Sequence, residues 1–216
     1  MLTIWHWRSR PWLAPDPAVP NAWQQVSRIR ALTVPLLGLL LSFGVSAATL
    51  EGQPFEDVTR LASRELHLNG LGVRKFLFIK AYVAGLYLDG KAATSQEVDT
   101  LSGPKRLQLR MLRSAGPRDF NNALVAGIRD NSNASEQARL ADSVRQLERT
   151  IRAIGSTAKG DLITLDYIPD DGTRLAVNGA NFGSAIAGAD FFKALLDIFV
   201  GEKPVDPQLK KGLLGQ

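Results

Sequence analysis

No cysteine occurs anywhere in the 216 residues. Disulfides, thiolate metal sites, iron–sulfur clusters and cysteine nucleophiles are therefore excluded. Histidine is nearly as scarce: His6 and His67 are the only two, too few for a histidine-rich metal site. No metal or cofactor is expected. A serine triad would have to use His67, and no Gly-x-Ser-x-Gly elbow is present to carry the nucleophile. A complete Gly-x-Gly-x-x-Gly phosphate loop is missing too. Gly179-Ala-Asn-Phe-Gly183 comes nearest, and is expected to be a loop leading into a helix, with Asn178 and Asn181 in turns or caps. Asp166, Asp170 and Asp171 are expected to be solvated turn residues. Tryptophan is absent beyond Trp23, so the chain holds two kinds of sequence.

What is present is 45% hydrophobic and 22% charged, with 19 Gly and 11 Pro, an ordinary globular composition. Arg28 and Arg30 precede an apolar run over 31–43, which is followed by small residues to Ala48. A basic start, a short apolar core and a small-residue end describe a secretory signal. The run is shorter than the roughly 20 residues of a membrane span. Residues 26–47 are read as a signal peptide cleaved after Ala47, or after Ala48, and 48–216 as a single domain exported to the periplasm. An uncleaved anchor is the alternative. Residues 1–25 are read as an unstructured extension or a mis-called start. Four arginines and one aspartate precede residue 48, so the net charge falls from +5 to +2 without them. The basic character resides largely in the leader, and no nucleic-acid partner is expected.

Within 48–216, residues 55–66 fit a short helix or strand, and Asn69-Gly70-Leu71-Gly72 fits a flexible turn. The aromatic and β-branched stretch 73–88 predicts two strands with a bend. Leu107, Leu109 and Met111 alternate with Arg106, Gln108 and Arg110, as in a half-buried strand. Helices are predicted from Pro117 to about Arg129 and from about Ser135, where Val144, Leu147, Ile151 and Ile154 share a stripe. Arg139, Arg145, Arg149 and Arg152 then make a solvated face. Pro169-Asp-Asp-Gly172 predicts a hairpin between 162–168 and 173–178. A helix over 184–200 closes at Gly201, and Pro204 or Asp206 opens a last one. This order implies an α+β fold around an antiparallel sheet.

At Gly70-Leu-Gly-Val-Arg74 and Phe78-Ile-Lys-Ala-Tyr-Val-Ala-Gly-Leu-Tyr-Leu88 the chain resembles the chalcone isomerase superfamily. The likeness continues through 107–113, the helix from Pro117, and the stretch from Phe191 to Leu214, covering about 70–216. It implies an open-faced β-sandwich, with a large antiparallel sheet covered on one side by helices. The superfamily holds isomerases that close a chalcone into a flavanone. It also holds plant fatty-acid-binding proteins and bacterial exported chalcone-isomerase-like proteins, and this chain looks most like the last group. Arg74 matches the arginine that holds substrate in the isomerases. Tyr82 stands where they have threonine and the fatty-acid-binding branch has tyrosine. Phe120 replaces a tyrosine and Gly127 an asparagine, so most of the isomerase polar set is gone. The segment between Arg74 and Tyr82 is several residues shorter than in the isomerases.

The residues alone support a related reading. Arginine stays charged when desolvated and offers a planar fork of donors that fits a carboxylate. Tyr82 shares the parity of Arg74 in an extended stretch, and Phe76, Phe78, Ile79 and Val83 are the expected apolar lining. The competing reading pairs Arg74 with a protein carboxylate and makes Tyr82 core. The ligand reading thus requires a guanidinium with no native acidic neighbour. Three functions follow as expectations. The first is a non-catalytic exported binder of a small acidic amphiphile such as a fatty acid, through Arg74, Tyr82 and Phe120. The second is a chalcone-type isomerase or an isomerase of another substrate. The third is a cell-envelope interaction module, which an exposed apolar surface would favour.

Overall fold

A computed structural model describes residues 47–216, so the extension read over 1–25 and the expected signal as far as residue 46 lie outside the described residues. Strands β1 (Ala47–Leu50) and β2 (Gln53–Glu56) form a small hairpin. A seven-stranded antiparallel sheet follows in chain order: β3 (Val58–Leu61), β4 (Arg64–Phe76), β5 (Ile79–Leu88), β6 (Lys105–Met111), β7 (Leu162–Ile168), β8 (Gly172–Val177) and β9 (Ala180–Ile186). Helix α1 (Ser95–Thr100) joins β5 to β6, and α2 (Pro117–Asp130) with α3 (Ala134–Ile154) joins β6 to β7. Helices α4 (Ala189–Val200) and α5 (Pro207–Leu213) end the chain. The expected α+β architecture is the one observed. No helix among the described residues is long and apolar enough to cross a membrane.

Period-two alternation sorts the core onto two faces of the sheet. On β5, Ala84, Leu86 and Leu88 enter the large cluster under the helices, while Val83 and Tyr87 join Phe55, Leu61 and Leu66 in a smaller cluster. Phe55 comes from β2, so the β1–β2 hairpin covers part of the second face. On β6, Leu107, Leu109 and Met111 point into the large cluster as their alternation predicts. Arg139, Arg145, Arg149 and Arg152 are exposed on α3 as expected.

Glycines set how closely the helices approach. A Cβ on Gly127 of α2 would lie 2.7 Å from the Ile198 side chain of α4, so any side chain there would have to displace Ile198. Helix α5 rides directly on β4: a Cβ on Gly70 would run into the Gly212 carbonyl oxygen, and one on Gly72 would lie 2.7 Å from that of Leu209. This corrects the expected turn at 69–72. Those residues belong to β4, and the signal marks a register irregularity between Leu68 and Gly70. Asn69 is buried there, donating to the carbonyls of Ala92 and Leu213 at 2.8 Å each.

Three further expectations are corrected. Residues 180–186 form edge strand β9 rather than a loop, because Gly179 (φ +83°) and Asn178 (φ +52°) turn the chain back onto β8. As a result α4 begins at Ala189, five residues later than expected. Asp166 is no solvated turn residue: it sits in β7 and takes a bidentate pair from Arg106, at 2.7 Å from both Nε and Nη2. Gly70→Ala or Gly72→Ala is expected to push α5 off β4, destabilising the fold by about 1–3 kcal/mol. Thermal unfolding should show a midpoint lowered by roughly 2–10 °C; an unchanged midpoint would contradict this packing.

Candidate functional site

Arg74 and Tyr82 are direct cross-strand partners of β4 and β5. They share a face through cross-strand pairing and not through parity along one extended stretch, and Tyr82 packs against the large cluster on the helix-covered face. The expected bend falls between them in the chain, as a turn at Leu77 and Phe78 and a register irregularity between Arg74 and Lys75 that sets Tyr82, and not Ala81, opposite Arg74. At the irregularity the Lys75 N–H donates to Asp206 Oδ2 at 3.0 Å. Asp206 is the N-cap of α5, its Oδ1 accepting from the backbone N–H of Gln208 (2.8 Å) and Leu209 (3.3 Å). Since α5 is seated on Gly70 and Gly72, its N-terminus arrives beside Arg74, two residues further along the strand.

The guanidinium consequently has an acidic neighbour, with Arg74 Nη1 lying 3.5 Å from Asp206 Oδ2. The requirement that no protein carboxylate stand there is not met. Asp206 lies 132 positions along the chain from Arg74, and only the folding of α5 onto β4 brings it close. The contact is long and uses one nitrogen, unlike the bidentate Arg106–Asp166 pair in the same sheet. Nη1 also donates to the Lys75 carbonyl, while among the described residues Nε and Nη2 of Arg74 make no hydrogen bond. Asp206 meanwhile receives three backbone N–H groups of its own. Two nitrogens of the Arg74 fork, Nε and Nη2, therefore stay uncommitted, and its side chain keeps 20% exposure.

Charge at the pair is set by these contacts. Burial alone would raise the Asp206 pKa. The N–H groups of Lys75, Leu209 and Gln208, with Arg74, outweigh it and hold the carboxyl below the ordinary aspartate value. Burial pushes the Tyr82 phenol well above its ordinary value, Arg74 opposing and Asp206 adding to the shift. Tyr82 is thus a neutral hydroxyl, able to donate a hydrogen bond and unsuited to act as a base.

Phe120, in the first turns of α2, packs against the same large cluster as Tyr82 and brings no polar atom. The expected apolar lining is corrected. Val83 is buried in the smaller cluster on the other face, and Phe76, Phe78 and Ile79 are exposed at the β4–β5 tip. That tip is the exposed apolar surface an interaction role calls for. His67 is exposed, 3.7 Å from Glu65, and the described residues contain no group of side chains arranged to hold a metal.

Five clefts lie elsewhere, none lined by Arg74, Tyr82 or Phe120. The largest, about 480 Å³, is rimmed by charges that neutralise one another, Lys193 bridging Asp99 (2.9 Å) and Asp197 (2.8 Å). A cleft of about 360 Å³ contains Lys105, Tyr167 and Phe192, a set the sequence reading missed. The available signal was parity, which puts Lys105 on the apolar stripe of β6 with Leu107 and Leu109. Burial holds the Lys105 pKa below the ordinary lysine value, with Asp89 and Asp99 opposing. Its Nζ donates to the Leu101 carbonyl and lies 5.6 Å from the Tyr167 ring centre, so the cation is already engaged. Asp99 and Asp190 on the rim repel an anion.

The profile of the family described as "Chalcone isomerase-like" matches residues 47–215. The chain belongs to the chalcone isomerase-like family. Among solved structures, the crystal structure of a fatty-acid binding protein from Arabidopsis thaliana is similar, with a TM-score of 0.63 at 17% identity over 78% of this chain and 96% of that one. At that identity the likeness concerns the fold. No curated protein matches the sequence.

Within this family member, the depressed Asp206 pKa stabilises the fold above the carboxyl's unfolded value of about 4, and that contribution is lost as the pH falls through the folded value. Asp206→Asn keeps a capping acceptor and is expected to flatten the acid side of the stability profile below about pH 5. Asp206→Ala is expected to cost about 1–3 kcal/mol at pH 7, since it uncaps α5 and strands the Lys75 N–H. Urea unfolding across pH distinguishes the two; parallel acid limbs for the wild type and Asp206→Asn would contradict the assigned role of the charge.

Proposed function

We propose that this chalcone isomerase-like protein is a non-catalytic binder of a small acidic amphiphile such as a fatty acid, with Arg74 and Tyr82 receiving the carboxylate. One observation carries the reading: Arg74 Nη1 stands 3.5 Å from Asp206, while Nε and Nη2, on the strand pair shared with Tyr82, have no hydrogen-bond partner among the described residues. A ligand carboxylate can take those two donors together with the phenol O–H, leaving Asp206 to its backbone partners. Phe120 supplies apolar surface beside the same cluster. The similar Arabidopsis structure is that of a fatty-acid binding protein, which supports the class of ligand. Absence of catalysis is supported by Phe120 and Gly127 at the positions of isomerase polar residues, Gly127 being pressed against Ile198. Export to the periplasm through a signal over 26–47 belongs to the same proposal, supported by the basic, apolar and small-residue order there and by a family match that starts at residue 47.

A second reading is favoured by the ion pair itself: Arg74 and Asp206 form a clasp that only holds α5 on β4. Native mass spectrometry after gentle extraction separates the two. Under the binding reading the wild type carries a fatty-acid-sized mass, Arg74→Gln loses it with affinity lowered about 10–100-fold, and Asp206→Asn retains or gains it because a competing charge is removed. Equal lipid content in wild type and Arg74→Gln would overturn the clamp. Purified protein is expected to convert chalcone no faster than the uncatalysed background, and turnover that Arg74→Gln abolishes would make it an isomerase.

A further inference from the structure

Four consecutive apolar residues cap the β4–β5 hairpin and are exposed to solvent: Phe76 is 62%, Leu77 79%, Phe78 101% and Ile79 44% exposed. Phe76 pairs with Ile79, so Leu77 and Phe78 form a two-residue turn. Such turns ordinarily use glycine or asparagine where φ is positive. Here Leu77 takes φ +52°. A leucine in the left-handed region and an uncovered phenylalanine are both unfavourable for an isolated domain, and neither joins either core cluster.

Charge around the tip is positive in excess. Lys75 and Lys80 are cross-strand partners immediately below Phe76 and Ile79, and both are exposed. Arg113, also exposed, follows Leu112, whose N–H donates to the Ala81 carbonyl at 2.9 Å, so it lies level with Lys80 at the end of the adjacent strand. Glu51 of the β1–β2 turn pairs with Lys80 Nζ at 2.7 Å, and Asp206 lies one step lower with Arg74 and the Lys75 N–H, which leaves Lys75 and Arg113 without an ion pair among the described residues.

We propose that the β4–β5 tip inserts into an anionic lipid bilayer, with Phe76 to Ile79 below the headgroups and Lys75, Lys80 and Arg113 among the phosphates. A narrow convex turn exposes side chains on all sides, which a fluid bilayer accommodates without a preformed groove. Apolar area ringed by lysine and arginine is the combination that interfacial binding requires. The inference stands apart from the fatty-acid reading, because insertion needs no ligand on Arg74.

Because the chain contains no cysteine, Phe78→Cys in the full chain offers one site for an environment-sensitive fluorophore. Ala138→Cys, exposed on α3, is the reference. The label reports the tip alone, whatever else in the chain adsorbs. With vesicles of phosphatidylcholine and phosphatidylglycerol, emission at position 78 is expected to shift to the blue while that at position 138 stays unchanged. Partitioning is expected to weaken about tenfold on phosphatidylcholine alone, at high salt, or in Lys75→Glu/Lys80→Gln. The salt series holds even if that double variant misfolds. An unshifted label at position 78, equal shifts at both positions, or equal partitioning into neutral and anionic vesicles would overturn the proposal. So would a shift that grows with protein concentration without vesicles, which would seat the tip on a second copy.

Discussion

The closeness of α5 to β4 governs the arrangement of everything around Arg74. Two strand glycines and one helix glycine let the backbones touch, and any Cβ at these places would meet a carbonyl oxygen or backbone carbon. With the helix that near, its capping carboxylate falls beside the strand and collects the Lys75 N–H and the Arg74 cation along with its own first turn. A buried carboxylate held by several N–H groups stays ionised, and an ionised carboxylate in turn keeps a guanidinium in place. The same group is therefore a cap, a strand-end acceptor and an electrostatic anchor.

This explains why Gly70-x-Gly72-x-Arg74 reads as one motif. The glycines and the arginine lie on one strand face, where successive positions meet the body and then the start of the same helix. The arginine is held loosely by comparison with Arg106, whose fork is filled by Asp166 and whose Nη1 also donates to Thr59. Two arginines on one sheet thus show the difference between a closed ion pair and an open one. The open one is the arginine of the proposed clamp, and it sits one register step below the lysines of the hairpin tip.

Much of the fold was legible because it is written in local periodicity. The alternation of β6, the stripes of α2 and α3 and the Pro169–Gly172 hairpin need only near neighbours to be read. Long-range use of glycine was not legible: Gly70 and Gly72 look like turn residues until α5 is laid on them, and Gly183 falls within edge strand β9. At the site, sequence parity expected Arg74 and Tyr82 to share a face of one extended stretch, whereas hairpin pairing with a register shift is what brings them together. The sequence reading missed Asp206, which approaches only through tertiary packing, and it assigned Phe76, Phe78 and Ile79 to a lining although the turn carries them past the edge of the core. Lys105 was overlooked although its parity marked it, since a single cation on an apolar stripe is easily read as a strand end.

The central claim is that Arg74 keeps donor capacity for a carboxylate despite Asp206. The most direct test is carbon-13 spectroscopy of a fatty acid labelled at its carboxyl carbon, titrated across pH while bound to the protein. A bound carboxyl that titrates clearly below the free fatty acid, and returns to the free value in Arg74→Gln, is the predicted result. A bound carboxyl that titrates as in the free acid, unaltered by loss of Arg74, would contradict the account.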